Sequence, residues 1–421
     1  MDIRKVIKDI LKENEGVSIR NLKERAFDID ALFEKKTDKI ITFTGFRRVG
    51  KTHLLFLVME RLKDQFRIYF NFEDERLPES TDVLTQLLYA IEELYHKKPD
   101  YLFLDEIHVI PGWGKFLRRI ADKGYKLFVT GSSSKLGLKE IPTELRGRTL
   151  NYSILPLSFK EYLSFNGVSV DEYIDSQKEA EINRLFDRYL VYGGFPELFN
   201  SGELERKEVI QEYYRTLVQR DLIERFNIKE DALLNAAVKL ILNSLMISIS
   251  KLANTLKSMG FRCSKNTIAN YIGYMEKSFF IFQALYYSTN VKDQMQYPRK
   301  VYFIDTGFLK YLSLNPDRSR SLENLVALEL KRRGYDLYYW RNPQGEEVDF
   351  VVMENEKVTQ LIQVSYDISF TETRERELRA LKKGMKHFDL NKGLILTASH
   401  EESIIEENVE IDVLPITRWL L

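Results

Sequence analysis

Between residues 39 and about 155, short apolar runs alternate with longer amphipathic stretches, a pattern that predicts a mostly parallel α/β sheet. Strand-like runs fall at 39–44, 67–72, 101–104 and 126–130, with helical stretches between them, the first over 53–63. Ile154-Leu155-Pro156-Leu157 closes this unit, and residues 1–38 read as one or two polar amphipathic helices leading into it. From 158 to 235 the chain is helical and charged, broken at Gly193-Gly194-Phe195-Pro196, a turn signal between helices. Residues 236 to about 285 read as three helices in close succession, and strands follow at 279–287 and 300–304. The remainder predicts a helix at 322–333, strands at 335–341, 348–353 and 358–364, a helix at 371–383, and strands at 393–397 and 410–414. The expected division is therefore 1–38, 39–157, 158–235, 236–310 and 311–421, with neither repeats nor low-complexity segments.

The first apolar run ends in Gly45-Phe46-Arg47-Arg48-Val49-Gly50-Lys51-Thr52, a G-x-x-x-x-G-K-T phosphate-binding loop between a strand and a helix. Gly45 and Gly50 let the backbone curl until successive N–H groups point at the phosphates. Lys51 brings positive charge to the terminal phosphates, and the Thr52 hydroxyl ligates Mg²⁺. The helix that starts at His53 adds its positive end. The nucleotide-binding segment thus comprises Gly45, Phe46, Arg47, Arg48, Val49, Gly50, Lys51, Thr52 and His53. The run Tyr101-Leu102-Phe103-Leu104 ends in Asp105-Glu106, which a buried parallel strand places beside the loop. Asp105 then holds Mg²⁺ through its outer shell, and Glu106 polarises the attacking water. The second acid argues for hydrolysis of ATP rather than phosphate transfer.

Ser132, at the end of Leu127-Phe128-Val129-Thr130-Gly131-Ser132-Ser133, is the candidate sensor of the terminal phosphate; the alternative is a Gly/Ser turn. Arg146-Gly147-Arg148 offers a candidate arginine finger, with Arg148 preferred over a merely structural surface arginine.

Composition changes this picture little. Lys and Arg number 63, as do Asp and Glu, so no global field steers the chain toward nucleic acid or membrane. A single cysteine, Cys263, and five histidines exclude a disulfide framework and argue against a His/Cys metal cluster. With neither a signal-peptide pattern nor an apolar run of spanning length, a soluble cytoplasmic protein with no membrane partner is expected.

These motifs together resemble the archaeal and bacterial AAA-type ATPases that carry a C-terminal domain of unknown function. The resemblance rests on Thr44 to Thr52, Phe103-Leu104-Asp105-Glu106-Ile107, Thr130-Gly131-Ser132-Ser133, and Gly147-Arg148 followed by 155–162. It extends to Tyr192-Gly193-Gly194-Phe195-Pro196, Tyr302-Phe303-Ile304-Asp305-Thr306-Gly307 and Glu346-Glu347-Val348-Asp349-Phe350, so it covers nearly the whole chain. It implies a P-loop AAA-type parallel-sheet core (39–157), a helical lid (158–235), a winged helix-turn-helix (236–310) and an α/β nuclease-like tail (311–421).

Ser248 and Ser264 read as N-caps of two helices joined by a turn at Gly260, resembling a winged helix-turn-helix. Lys265, Asn266, Asn270 and Lys277 would form its exposed polar face, with Lys251, Lys257 and Arg262 as phosphate contacts. Packing as a lid or a protein-docking module is the alternative. In the tail, Glu323, Asp349 and Gln363-Val364-Ser365 resemble the PD-(D/E)xK nucleases, in which two acids and an E-x-K pair hold Mg²⁺. Gln363 and Ser365 stand in place of the glutamate and lysine, which argues for a binding or assembly domain.

Three functions follow: an ATPase using ATP and Mg²⁺ to move its other domains on a macromolecule such as DNA, an ATP-dependent DNA-processing nuclease, or a protein-docking switch. An RNA or DNA helicase, which Asp105-Glu106-Ile107-His108 suggests, would need a second motor domain, for which the chain has no candidate. A homo-oligomer is compatible with a finger supplied by a neighbouring subunit.

Overall fold

The computed structural model describes residues 2–15, 22–34, 39–132, 145, 147–170, 175–406 and 409–421. They fall into two compact units, residues 1–155 and 156–421.

The first unit contains α1 (Ile3–Asn14), α2 (Asp30–Glu34), β1 (Ile40–Gly45), α3 (Lys51–Arg61), β2 (Arg67–Asn71), α4 (Thr81–Tyr95), β3 (Tyr101–Asp105), α5 (Trp113–Ala121), β4 (Lys126–Ser132) and β5 (Thr149–Ser153). Among the described residues, five strands form one sheet in the order β2-β3-β4-β1-β5, every pair parallel. Side-chain alternation divides the central strands cleanly. Leu102, Leu104, Leu127 and Val129 join the core with α4 and α5. Phe103 and Phe128 point to the other face, stacked with ring centroids 4.9 Å apart. The same alternation sends Asp105 and Thr130 to the Phe103 face. There α3 packs over β1, β3 and β4.

Helix α1 does more than lead into this unit. Asp2 caps it, and Ile7, Ile10 and Leu11 are buried in the core beside Val83, Leu87 and Ile91 of α4. Its apolar stripe therefore belongs to the sheet's own core.

The second unit begins with α6 (Phe159–Phe165), started by a reciprocal Ser158–Glu161 capping box, and α7 (Ser176–Tyr192). Then come α8 (Glu203–Thr216), a π-helical continuation (Leu217–Glu224), α9 (Asp231–Leu242), β6 (Met246–Ile247), α10 (Ile249–Ser258) and α11 (Lys265–Lys277). The chain continues through β7 (Ile281–Tyr286), α12 (Val291–Gln296), β8 (Arg299–Phe303), α13 (Thr306–Leu312), α14 (Arg318–Arg332), β9 (Tyr338–Arg341), β10 (Glu347–Glu354) and β11 (Lys357–Val364). It ends with α15 (Thr371–Phe388), β12 (Lys392–Thr397), β13 (Glu402–Glu406), β14 (Val409–Pro415) and α16 (Ile416–Leu420).

Among the described residues, nine strands make one mixed sheet, ordered β13-β14-β12-β11-β10-β9-β7-β8-β6. The parallel β7–β9 pair joins the strands that follow the helix pair α10–α11 to the C-terminal strands. The turn after α7 is fixed by Asp305, whose carboxylate accepts N–H bonds from Gly194 (2.7 Å) and Gly307 (2.8 Å). Gly193 has φ +80°, and a Cβ there would lie 1.7 Å from Asp305 Oδ1, so only glycine fits. Two motifs more than a hundred residues apart in the chain thus form one joint.

Candidate nucleotide site

The phosphate-binding loop lies between β1 and α3, at the carboxyl end of the first sheet. A Cβ on Gly45 would sit 2.2 Å from the Ile154 carbonyl oxygen, so the close approach of the chain requires glycine. Gly50 starts α3 at φ 96° with no side-chain cap, leaving the helix N-terminus to the loop. Arg48 adopts φ 65°. Val49 and Phe46 are buried, and the Arg25 guanidinium fastens the loop from outside, donating to the carbonyls of Val49 (2.9 Å) and Leu155 (3.0 Å). Arg47 pairs with Glu73 at 3.7 Å, and the His53 ring meets the Lys23 carbonyl at 2.8 Å.

Four of the expected residues converge. Lys51 Nζ donates to the carbonyls of Gly45 (3.3 Å) and Phe46 (3.1 Å) and lies 3.7 Å from Glu106 Oε1. Thr52 Oγ1 donates to Asp105 Oδ2 at 2.9 Å. Asp105 is held by three hydroxyls in all: Thr52, Tyr69 at 2.9 Å, and Thr130, which bonds the other carboxylate oxygen. Burial, with Glu106 adding to it, pushes the Asp105 carboxyl above its ordinary range, and the three hydroxyls oppose that shift. Thr130 also accepts the Glu106 backbone N–H at 3.0 Å, which helps fix the left-handed φ of 51° at Glu106. The Glu106 carboxylate is thereby aimed between Lys51 and the buried His108, whose Nδ1 lies 3.1 Å from Oε2.

The donor set suits a hard divalent cation: a hydroxyl and a carboxylate already within hydrogen-bond reach, beside a lysine. Thr52 and Asp105 are the residues that would hold it.

Ser132 ends β4 level with Gly45 in the parallel register. Ser133 and Arg146 lie outside the described residues. Arg148 is not brought to the site. Its carbonyl accepts the Ile40 N–H (2.8 Å) at the start of β1, and its guanidinium pairs with Asp122. Gly45 is at the other end of that strand, roughly 17 Å away at about 3.3 Å per residue. Tyr69 and Arg25 are not candidates in the sequence, and His108 enters there only as the last residue of Asp105-Glu106-Ile107-His108. His108 follows the acid pair by two residues, a local signal, whereas Tyr69 and Arg25 arrive only through folding.

A family model described as an AAA domain matches residues 37–163. Two further models, each described as a domain of unknown function, match residues 183–319 and 318–419. An uncharacterized protein of Methanocaldococcus jannaschii is 37% identical over 428 aligned positions, covering 97% of this chain and 95% of that protein. The chain belongs to that protein's family, whose first domain is an AAA-type P-loop ATPase domain. An uncharacterized protein of Haemophilus influenzae is 26% identical, covering 92% of this chain and 95% of its own length. Among solved structures, the Walker-type ATPase of Pyrococcus abyssi aligns at 14% identity and TM-score 0.46, covering 70% of this chain and 99% of that one. Within this AAA-domain family the chain carries the P-loop lysine, the hydroxyl beside it and the paired acids where the third strand ends. Among the described residues, no helix is long and apolar enough to cross a membrane.

Proposed function

We propose that the chain hydrolyses ATP with Mg²⁺ at this site and uses its nucleotide state to move its second unit on a macromolecular partner, duplex DNA first. The observation that carries the hydrolytic reading is the continuous bond chain Thr52–Asp105–Thr130–Glu106 beside Lys51. Lys51 would exchange the Gly45 and Phe46 carbonyls for the terminal phosphate oxygens. Glu106 would orient the attacking water and take its proton. Mg²⁺ held by Thr52 and Asp105 would offset charge on the phosphates. Release of Glu106 from its contact with Lys51 would link base activation to nucleotide arrival.

The DNA reading is supported by the order α9-β6-α10-α11-β7-β8, with β8 antiparallel to both β6 and β7, which is a winged-helix order. Ser248 and Ser264 cap the two helices, and Lys251, Lys257, Arg262, Lys265, Asn266, Asn270 and Lys277 are all exposed. The nuclease-like reading of the tail is supported by α14, the antiparallel β9-β10-β11, α15, and β12 parallel to β11. Gln363 and Ser365 favour binding over cutting there.

Phosphate release from ATP, measured with and without duplex DNA, single-stranded DNA and RNA, tests this. Wild-type turnover should rise with duplex DNA, and Lys51→Ala should lose on the order of 100-fold or more. Stimulation by RNA or single strands alone, or by no nucleic acid, would overturn the duplex reading. Full turnover in Lys51→Ala would overturn the site.

A further inference from the structure

Lys300 lies on β8 with about 1% of its surface exposed. Its ammonium reaches Glu323 Oε1 at 2.9 Å from α14, and Glu347 Oε1 and Asp349 Oδ1 at 2.8 and 2.7 Å from β10. An ammonium has three N–H donors, and each has one carboxylate. The carboxylates are themselves held: Tyr302 OH donates to Glu323 Oε1 at 2.7 Å, and the Val364 N–H donates to Asp349 Oδ2 at 2.8 Å. Burial alone would push the Lys300 ammonium down, but Asp349 and Glu323 outweigh it and keep it well above the usual lysine range. Gln363 takes no part, because its amide is spent on Glu377, the Glu347 carbonyl and the Asp349 N–H. Ser365 donates to the Asp367 carbonyl.

Three carboxylates converging on one cation is the donor chemistry of a hard metal ion, but the spacing is that of an ammonium. Calcium–oxygen distances run about 2.3–2.6 Å and magnesium–oxygen about 2.0–2.1 Å, both shorter than the contacts here. With the Lys300 ammonium in place, no group of three His, Cys, Asp or Glu side chains among the described residues is set at metal-binding distances.

We propose that the Lys300 ammonium is a built-in cation occupying a three-carboxylate site, Glu323, Glu347 and Asp349, which would accept a divalent metal ion if the lysine were removed. A tethered cation cannot be chelated or exchanged. It pins β8 to α14 and β10 without a metal, and it leaves no ion at this place to activate water. The proposal is independent of the ATPase reading, which ATP turnover assays report separately.

Mn²⁺ binding to the full chain, followed by electron paramagnetic resonance without nucleotide, tests it. Wild type and Asp349→Asn should bind equal numbers of Mn²⁺ ions. Lys300→Ala should bind about one more, with the roughly 0.1–1 mM affinity of weak oxygen sites, and Lys300→Ala/Asp349→Asn should lose it. Mn²⁺ held by wild type but lost in Asp349→Asn would overturn the proposal, as would a folded Lys300→Ala with no added ion. Should Lys300→Ala unfold in chelator, Ca²⁺ at about 10 mM should restore its circular dichroism and melting transition; no restoration would equally overturn it.

Discussion

Asp105 and Asp305 are both buried carboxylates, and their partners give them different fates. Asp105 accepts from three side-chain hydroxyls, a set that can open toward a cation. Asp305 accepts from two backbone N–H groups locked in a joint. Burial, against those N–H bonds, raises the Asp305 pKa to about 7. The folded state therefore holds this proton more tightly than the unfolded chain does. The resulting stability is present below the unfolded pKa of about 4 and is lost as pH rises through about 7, by on the order of 2–4 kcal/mol. Denaturant unfolding from pH 5 to 8 should show wild type losing more stability than Asp305→Asn, whose amide does not titrate. Parallel curves for the two proteins would contradict this.

At the scale of elements, what the sequence reveals follows from how local the signal is. The strands at 101–104 and 126–130 were legible because apolar runs bounded by acids or glycine are local, and the observed β3 and β4 agree within two residues. The loop at Gly45 was legible because its glycines and lysine act through backbone geometry next to them in the chain. β5 was not, because Thr149–Ser153 is polar and only half-buried; pairing with β1 makes it a strand. β6 has two residues and exists through its pairing with β8. Helix α1 is amphipathic, as its sequence predicts, but the surface it covers is set by α4, which no local pattern reports. The Lys300 cluster draws on three elements spread over some fifty residues, and its lysine resembles any other strand lysine in the sequence.

Arg148 limits how the chain can work. It lies at the opposite end of β1 from the loop, so an Arg148 finger could act only in the site of another copy. If it does, ATP turnover per subunit should climb from nanomolar to micromolar protein, and Arg148→Ala should flatten that rise. Constant specific activity across the range would remove Arg148 from catalysis.

In the proposed mechanism Glu106, set between Lys51 and His108 by the Thr130 hydroxyl, would make this AAA-type domain a hydrolase rather than a nucleotide-binding module. Bound ATP and released phosphate, measured in Glu106→Gln beside wild type with Mg²⁺, decide between the two. Glu106→Gln should retain ATP at wild-type occupancy and release phosphate on the order of 100-fold or more slowly. Unchanged phosphate release in Glu106→Gln would contradict that mechanism.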